Sequence, residues 1–294
     1  MQWQKVTLVG VGLLGGSLGL ALKKRDLAGH VHGFVRRPSS IAECLDKQAV
    51  DSAGQDILEA VEEADLIVLC TPLGQMKPLT EAMLPAVKPD AIITDVGSVK
   101  GSVVEELEPL AARVHAHFIG SHPMAGSEKV GVQHARENLF EKSVCVLTPT
   151  ADSSKEAAEK LGHLWSAVGG VPITLSPALH DELVGRTSHL PHIVAAELAH
   201  YVLDPSWPPQ QPELCATGFR DATRIASGSP QMWRDISLAN RVNLIQELKG
   251  LTERLRRFQL ALEKEDSEAI QYFFEEARKR REAWCDQNVS PSHE

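Results

Sequence analysis

The sequence predicts an α/β domain with a mostly parallel sheet, followed by an all-α domain. Three observations support this prediction: β-branched runs alternate with amphipathic stretches, a glycine-rich turn follows the first run, and strand-like runs end near residue 176. Strands that alternate with helices form βαβ units, whose sheet is buried on both faces. We place the two domains at residues 1–176 and 177–286, and we expect a disordered tail at 287–294.

Seven short apolar runs in the first domain are the predicted strands. Right-handed crossovers bring the carboxyl ends of parallel strands to one edge of a sheet. The segments that follow four of these runs carry Gly12, Thr71, Ser98 and His122, and we expect all four residues in one crevice at that edge. The runs are residues 6–10, 31–35, 66–70, 91–96, 117–120, 144–148 and 171–175.

The sequence predicts only helices and loops in the second domain. A helix is predicted from His180 to Leu203, followed by a proline-rich loop and then a long amphipathic helix. The apolar stripe of that last helix either packs within its own subunit or forms a homodimer interface, and the sequence leaves both open. The stripe comprises Leu244, Leu248, Leu251, Leu255, Phe258 and Leu262.

Composition restricts the class of protein. The 294 residues are 43% hydrophobic, which is enough for a substantial core. A formal net charge of -9 argues against a nucleic-acid binder, which normally carries a basic face. No apolar run is long enough to span a bilayer, and the N-terminus shows no signal-peptide pattern. Five scattered cysteines suit neither a disulfide framework nor a zinc site, so we expect a cytoplasmic protein.

The turn after the first predicted strand has the spacing of a dinucleotide fingerprint. Gly10, Gly12 and Gly15 form Gly-x-Gly-x-x-Gly between a strand and a helix, with Leu13 and Leu14 inside the motif. The first glycine permits a tight turn, the second allows backbone N–H groups to approach a pyrophosphate, and the third allows close packing. The motif in this context predicts a Rossmann-type domain that binds NAD or NADP. Thr71 and Pro72, which follow the third predicted strand, are further candidates for cofactor binding.

The second predicted strand ends without the acidic residue that binds the ribose of NAD. Arg36, Arg37 and Ser39 stand there instead. Two guanidinium groups and a hydroxyl suit a 2′-phosphate, so the sequence favours NADP over NAD. The alternative is a solvated arginine pair on a surface turn.

His122 is the candidate acid/base group. It lies in the segment Gly120–Lys129, GSHPMAGSEK, whose glycines and proline indicate a loop at a strand end. Oxidation of an alcohol releases a proton together with the hydride, and histidine titrates near neutrality. Ser98 is expected in the same space, where it binds the reacting hydroxyl or the nicotinamide. For Asp95, a turn or helix cap is an equal alternative.

Two histidines three residues apart, His189 and His192, share one face if their segment SHLPH is helical. No acidic third ligand lies at a recognisable distance, so we expect no metal site there. The two rings are expected to bind a polar substrate, with core or capping histidines as the alternative.

Three arginines follow in the segment 218–236. Arginine binds carboxylates bidentately, and Arg224 is the one expected to face the crevice. Arg220 suits a structural or a substrate-binding role equally, and Arg234 is expected to pair locally with Asp235.

Taken together, these motifs resemble the prephenate/arogenate dehydrogenase family of tyrosine biosynthesis. The resemblance covers nearly the whole chain, and the combination of GSHPMAG, SHLPH and GFRDATR is highly specific. The motifs that carry it, in chain order, are GVGLLGGSLG, CTP, TDVGSVK, GSHPMAGSEKVG, ENLF, VLTP, the pair His180–Asp181, SHLPH, GFRDATRIASGSP and MWRDI.

The resemblance implies a homodimer in which each subunit has a Rossmann-type domain and a helical dimerisation domain. It implies oxidative decarboxylation of prephenate to 4-hydroxyphenylpyruvate, of arogenate to tyrosine, or of both. Hydride would leave the ring carbon that bears the 4-hydroxyl, and loss of the ring carboxylate as carbon dioxide would give an aromatic product.

The resemblance also implies residue roles. His122 would bind the 4-hydroxyl and take its proton with help from Ser98, and Arg224 would hold a substrate carboxylate. The remaining implied positions are His189 and His192 in the substrate pocket, Glu128 in a polar network at its entrance, and Trp233 near the product. A donor at His192 would suit the keto-acid carboxylate of prephenate, although arogenate stays open.

Two alternatives differ in class. A β-hydroxyacid dehydrogenase or imine reductase would share the architecture, but its acid/base residue would be a lysine or aspartate in the helical domain. An NADP-sensing protein without enzymatic activity would have no need of Ser98, His122 and Arg224 together. Activity with prephenate or arogenate excludes both.

Overall fold

The computed structural model describes residues 3–127 and 129–287. Within these residues, eight strands form one sheet in the order β3-β2-β1-β4-β5-β6-β7-β8. Neighbouring strands from β3 to β6 are parallel, β7 runs antiparallel to β6, and β8 is parallel to β7. The strands are Trp3–Val9 (β1), Ala28–Phe34 (β2), Ser52–Gly54 (β3), Leu66–Leu69 (β4), Ile92–Asp95 (β5), His117–Pro123 (β6), Val144–Thr148 (β7) and Val171–Thr174 (β8).

The prediction of a mostly parallel α/β sheet followed by helices is confirmed, with two differences in detail. The strand β3 was not predicted, because three residues, Ser-Ala-Gly, lack the β-branched pattern of a strand. The strand β6 is longer than predicted, since its antiparallel pairing with β7 continues to Pro123 opposite Cys145. His122 therefore lies in the last residues of a strand, not in the loop after it.

Helices alternate with the strands as far as β8, except between β6 and β7, which a short 3₁₀ turn separates, and after β8 the helices follow one another. Several begin at a polar cap: the side chains of Asp56, Ser154 and Ser176 each accept a hydrogen bond from a backbone N–H of the first turn. The helices are Leu13–Lys24 (α1), Pro38–Asp46 (α2), Ile57–Val61 (α3), Leu73–Met83 (α4), Gly101–Ala112 (α5), Lys155–Ala167 (α6), Pro177–Val184 (α7), Leu190–Val202 (α8), Thr217–Thr223 (α9), Pro230–Ala239 (α10), Arg241–Glu263 (α11) and Ser267–Gln287 (α12).

The core of the α/β part consists of two clusters of buried apolar side chains. One includes Leu8, Leu18 and Trp165. The other includes Ile67 and Phe118. Strands with side chains buried on both faces are expected of a parallel sheet covered by helices, and β4 is buried at all four residues.

The helix predicted from His180 to Leu203 is present with an irregular centre. A π-helical turn, Gly185–His189, joins α7 to α8. π-turns widen a helix locally and occur frequently at functional sites. This turn ends at His189, so it shapes the backbone that presents this ring.

The described residues form two compact units, which divide between Asn243 and Leu244. Within the second unit, Phe258 of α11 packs on Phe273 and Phe274 of α12, with ring centroids 4.6 Å and 5.8 Å apart. No helix among the described residues is long and apolar enough to cross a membrane.

Candidate active site

A cavity of about 340 Å³ opens where the carboxyl ends of β5 and β6 meet the helices α8 and α10. Ser98, His122, His192, Arg224 and Trp233 all line it. Ser98 follows β5, and His122 is near the end of β6, as the parallel topology predicts. The structure therefore brings together five of the residues singled out from the sequence.

The turn between β1 and α1 has the shape that a pyrophosphate requires. Gly10 has φ of +95°, and a Cβ there would lie 2.8 Å from the carbonyl oxygen of Cys70. A Cβ on Gly15 would collide with the carbonyl oxygen of Gly10, whereas one on Gly12 would meet no described atom within 4 Å. The open space at Gly12 faces the start of α1, where the N–H groups of Leu13 and Leu14 lack helical acceptors. These residues fit a dinucleotide.

The hydroxyl of Thr71 is a second feature that fits a bound cofactor. Its Oγ1 is buried and has no hydrogen-bond partner among the described residues. Its Cγ2 would lie 3.0 Å from a Cβ on Gly10, so the side chain borders the glycine-rich turn. Pro72, the next residue, caps the start of α4. A buried hydroxyl without a partner is costly unless a ligand or water satisfies it.

The turn from β2 to α2 presents two basic side chains and a hydroxyl to solvent. Arg36, Arg37 and Ser39 are exposed, and the amide of Gln55 donates a hydrogen bond of 2.7 Å to the carbonyl of Arg36. The first turn of α2, Pro38-Ser-Ser-Ile, is uncharged. Because β1 pairs with β2, these arginines and the N-terminus of α2 lie next to the glycine-rich turn that follows β1.

His122 is almost completely buried, with 7% of its surface exposed. Its Nδ1 lies 2.8 Å from Nε2 of His180, and Nδ1 of His180 lies 2.8 Å from Oδ1 of Asp181. Burial lowers the pKa of His122 well below its ordinary value of 6.5, and the neighbours His180, Lys100 and His189 act in the same direction. His122 is therefore neutral at physiological pH.

Lys100 and Asp95 form an ion pair, and both side chains are fully buried. The ammonium group also donates a hydrogen bond of 2.8 Å to the carbonyl of Ser121, the residue before His122. Burial lowers the pKa of Lys100, and the charge of Asp95 opposes that shift. The carboxylate of Asp95 further accepts the N–H groups of Gly97 at 2.8 Å and of Ser121 at 3.2 Å. Lys100 was not singled out from the sequence, because a lysine is ordinarily exposed and no local pattern marks this one as buried.

His189 is buried, and its ring is held by Asn240. The amide nitrogen of Asn240 donates to the backbone carbonyl of Asp181 at 2.8 Å and lies 3.1 Å from Nδ1 of His189. Burial lowers the pKa of His189 to about 4. Since the amide nitrogen is a donor, Nδ1 accepts, and the proton of the neutral ring is on Nε2. That nitrogen has no hydrogen-bond partner among the described residues.

His192 stacks on Trp233 at a centroid distance of 3.8 Å. Its Nδ1 donates to the carbonyl of Ser188 at 2.9 Å, so the neutral ring presents Nε2 as an acceptor. Burial lowers the pKa of His192, and the positive charge of Arg224 lowers it further. The neutral ring has no proton on Nε2. The hydrogen-bond donor that the sequence suggested for the keto-acid carboxylate of prephenate is therefore available only when His192 is protonated.

Two of the other predicted residues, Arg220 and Arg234, are not among those that line the cavity. Arg220 is exposed on α9. Arg234 pairs with Asp235 at 2.7 Å, as predicted. Glu128 lies outside the described residues. Among residues 3–127 and 129–287, no group of three or more His, Cys, Asp or Glu side chains has an arrangement that holds a metal ion.

Comparison with known families accounts for both halves of the chain. Residues 18–174 match the model of the nucleotide-binding domain of prephenate dehydrogenase, and residues 176–276 match the model of its dimerization domain. The chain belongs to the prephenate dehydrogenase family. The resemblance inferred from the sequence is thus confirmed, and membership of this family disfavours the β-hydroxyacid dehydrogenase and sensor alternatives.

Individual family members are similar over almost the entire chain. The prephenate dehydrogenase of Bacillus subtilis is 34% identical over 279 residues, which are 94% of this chain and 75% of the relative. The cyclohexadienyl dehydrogenase of Zymomonas mobilis is 33% identical over 295 residues, 98% of this chain and 99% of the relative.

Two solved structures of family members share the fold. Prephenate dehydrogenase from Aquifex aeolicus, in complex with hydroxyphenyl propionate and NAD+, superposes with a TM-score of 0.88 at 34% identity, covering 95% of this chain and 98% of the other. Arogenate dehydrogenase from Synechocystis gives a TM-score of 0.82 at 30% identity, covering 96% of this chain and 100% of the other.

Proposed function

We propose that this family member catalyses the NAD(P)-dependent oxidative decarboxylation of prephenate to 4-hydroxyphenylpyruvate, of arogenate to tyrosine, or of both, in tyrosine biosynthesis. The observation that carries the proposal is the position of His122. A neutral, buried imidazole lines the same cavity as the Ser98 hydroxyl and the Arg224 guanidinium. A general base, a hydroxyl partner and a carboxylate binder are the groups that this reaction requires.

His122 acts as the general base for the 4-hydroxyl of the substrate. Taking this proton gives the oxygen alkoxide character, which favours departure of hydride from the carbon that bears it. When bound, the nicotinamide ring accepts that hydride. Loss of the ring carboxylate as carbon dioxide then makes the ring aromatic, and His122 returns the proton to the phenolic oxygen. The depressed pKa of His122 keeps the ring unprotonated, as a base must be before each turnover.

Ser98 and Arg224 orient the substrate. The hydroxyl of Ser98 shares the cavity with His122 and holds the reacting oxygen beside the base. Arg224, on the 3₁₀ turn after α9, binds a substrate carboxylate bidentately. His192 and Trp233 line the cavity and offer a stacked surface to the substrate ring. His189 keeps its proposed place in the substrate pocket behind them, with its ring centroid 6.1 Å from that of Trp233. Glu128 keeps its proposed place in the entrance network.

We further propose NADP as the preferred cofactor, with NAD as the alternative. Gly10, Gly12 and Gly15 with the first turn of α1 would hold the pyrophosphate, since the open space at Gly12 suits it. The exposed groups of Arg36, Arg37 and Ser39 would bind a 2′-phosphate.

We propose a cytoplasmic homodimer that associates through the helical region. Apolar side chains are strongly exposed on the last two helices, with Leu255 57%, Phe274 60% and Trp284 63% accessible. The match to a dimerization domain supports the same interpretation. The five cysteines, each within the described residues, are free thiols, which suits a reducing compartment.

The decisive experiment is an absorbance assay for reduced nicotinamide on purified protein. Prephenate and arogenate are crossed with NAD and NADP, and the aromatic product is identified by chromatography. We expect reduction with at least one combination, and a loss of about 10²- to 10⁴-fold in kcat for His122→Asn with unchanged cofactor binding. Absence of reduction in all four combinations, from folded protein that binds cofactor, would overturn the proposal. Equal turnover of the wild type and His122→Asn would overturn the assigned base.

A further inference from the structure

A continuous line of buried hydrogen bonds joins His122 to the carboxylate of Asp181. His180 is the intermediate, with 2.8 Å from its Nε2 to Nδ1 of His122 and 2.8 Å from its Nδ1 to Oδ1 of Asp181. The exposed fractions are 7% for His122, 0% for His180 and 6% for Asp181. The two imidazoles meet edge-on, with centroids 5.1 Å apart and an interplanar angle of 70°.

The surroundings of Asp181 establish where the protons lie. Its Oδ1 accepts the backbone N–H of Lys100 at 2.7 Å, and its Oδ2 accepts that of Gly101 at 2.8 Å, at the start of α5. Both oxygens of Asp181 are thus hydrogen-bond acceptors for backbone N–H groups, and a carboxylate has no proton to donate. The proton between Asp181 and His180 is therefore on Nδ1 of His180.

The position of the proton on His180 determines the position of the proton on His122. With the His180 proton on Nδ1, its Nε2 is the acceptor, so Nδ1 of His122 is the donor between the two rings. The neutral His122 then carries its lone pair on Nε2. That is the nitrogen left to face the cavity, which His122 lines.

We propose that His180 and Asp181 are positioning residues that fix His122 as the tautomer with an unprotonated Nε2. The inference rests on the proposed function, for which it supplies the orientation of the base. The substrate O–H bond breaks and its proton bonds to Nε2 of His122. The electron pair of that bond forms the C=O double bond as the C–H bond breaks and hydride leaves the carbon. The imidazolium then donates from Nδ1 to His180, whose own proton is held by the carboxylate of Asp181. A carboxylate that orients a catalytic imidazole serves the same purpose in serine hydrolases.

A purely structural role does not account for this arrangement. Capping of α5 uses the two carboxylate oxygens and the backbone of Lys100 and Gly101, and it needs nothing from Nε2 of His180. The backbone carbonyl of Asp181 is separately held by Asn240. The remaining hydrogen bond, from His122 to His180, plays no part in holding α5 or the backbone and acts only on the ring of His122.

The first test reads the tautomer directly and needs no turnover. Nitrogen NMR of the wild-type protein with isotope-labelled histidine, at neutral pH, distinguishes a protonated from an unprotonated ring nitrogen. Signals of His122 are assigned by their loss in His122→Gln. We expect a protonated Nδ1 and an unprotonated Nε2. The reverse tautomer in the folded wild type would overturn the inference. If instead the proposed function were wrong, the assay with both substrates and both cofactors would show no reduction, and the tautomer found by NMR would be unaffected.

The second test compares two substitutions of His180, one that keeps a hydrogen-bond acceptor for Nδ1 of His122 and one that removes it. In His180→Gln, the Oε1 atom can still accept from Nδ1 of His122, whereas His180→Leu removes the acceptor at similar volume. We expect kcat to fall by about 10²- to 10³-fold in His180→Leu, with cofactor affinity unchanged, and to recover by at least about tenfold in His180→Gln. His163→Leu, on the exposed face of α6, is the matched control. A folded His180→Leu protein with kcat within about threefold of wild type would contradict the inference.

Discussion

Lys100 and Asp95 form an ion pair in which neither side chain has any exposed surface. The pair joins the segment after β5 to β6, because the ammonium of Lys100 also binds the carbonyl of Ser121 and the carboxylate of Asp95 accepts the N–H of that residue. Ser121 directly precedes His122. The pair therefore fixes the backbone from which the candidate base projects, and the charge of Lys100 contributes to the lowered pKa of His122.

Breaking this pair on one side should be strongly destabilising. In Lys100→Met the carboxylate of Asp95 stays buried without its cation, so we expect a loss of about 3–5 kcal/mol in the free energy of unfolding. The double variant Lys100→Met/Asp95→Asn should lose less than the sum of the two single variants, because no charge then remains unpaired. Urea denaturation measures all three, and Lys77→Met, at an exposed position of α4, is the control. Strict additivity would show that the two groups are not coupled.

The crevice was predictable from the sequence, whereas the groups that support it were not. Alternating strands and helices dictate a parallel sheet, and a parallel sheet places Ser98 and His122 at one edge. The contact between His122 and His180 joins residues 58 positions apart, and it depends on how α7 packs against α5 and β7. No local pattern encodes such packing. Asn240, which holds His189, was missed for the same reason.

Arg224 should affect substrate binding more than turnover. Its guanidinium lines the cavity and, in the proposed reaction, holds a carboxylate in the ground state as well as in the transition state. For Arg224→Ala we expect KM for the substrate to rise by about 10- to 100-fold, with a smaller change in kcat. Arg224→Lys should recover only part of the loss, since a lysine cannot bind bidentately. Steady-state kinetics check this against Arg113→Ala, an exposed arginine at the end of α5. An unchanged KM would remove Arg224 from the substrate site.

Reversing the charge at the end of β2 should reverse the cofactor preference. In Arg36→Glu/Arg37→Glu, carboxylates replace the groups proposed to hold the 2′-phosphate and repel it instead. We expect KM for NADP to rise by about 100-fold or more, and KM for NAD to change by less than about threefold. Arg113→Glu is a matched charge reversal on a different element. Equal changes in KM for NADP and for NAD would indicate that the two arginines are solvated surface residues that do not bind the 2′-phosphate.

The burial of His189 makes a prediction about stability at acid pH. Its pKa is lowered to about 4 in the folded protein, by burial above all, from an ordinary value of 6.5 in the unfolded chain. Between these values the unfolded state binds a proton that the native state does not. The stability that depends on the neutral ring is therefore complete above the unfolded pKa, and it is lost as the pH falls through the window toward the folded pKa.

The comparison that isolates this effect is His189→Gln, which keeps a polar side chain but does not titrate. Between neutral pH and about pH 5, the wild type should lose about 2 kcal/mol more of its free energy of unfolding than the variant does. Titration of other groups is common to both proteins and cancels in the difference. Urea denaturation at a series of pH values provides the measurement, with His163→Gln on the exposed face of α6 expected to follow the wild-type curve. Parallel pH profiles for the wild type and His189→Gln would show that His189 is accessible to protons in the native state, contrary to its buried position.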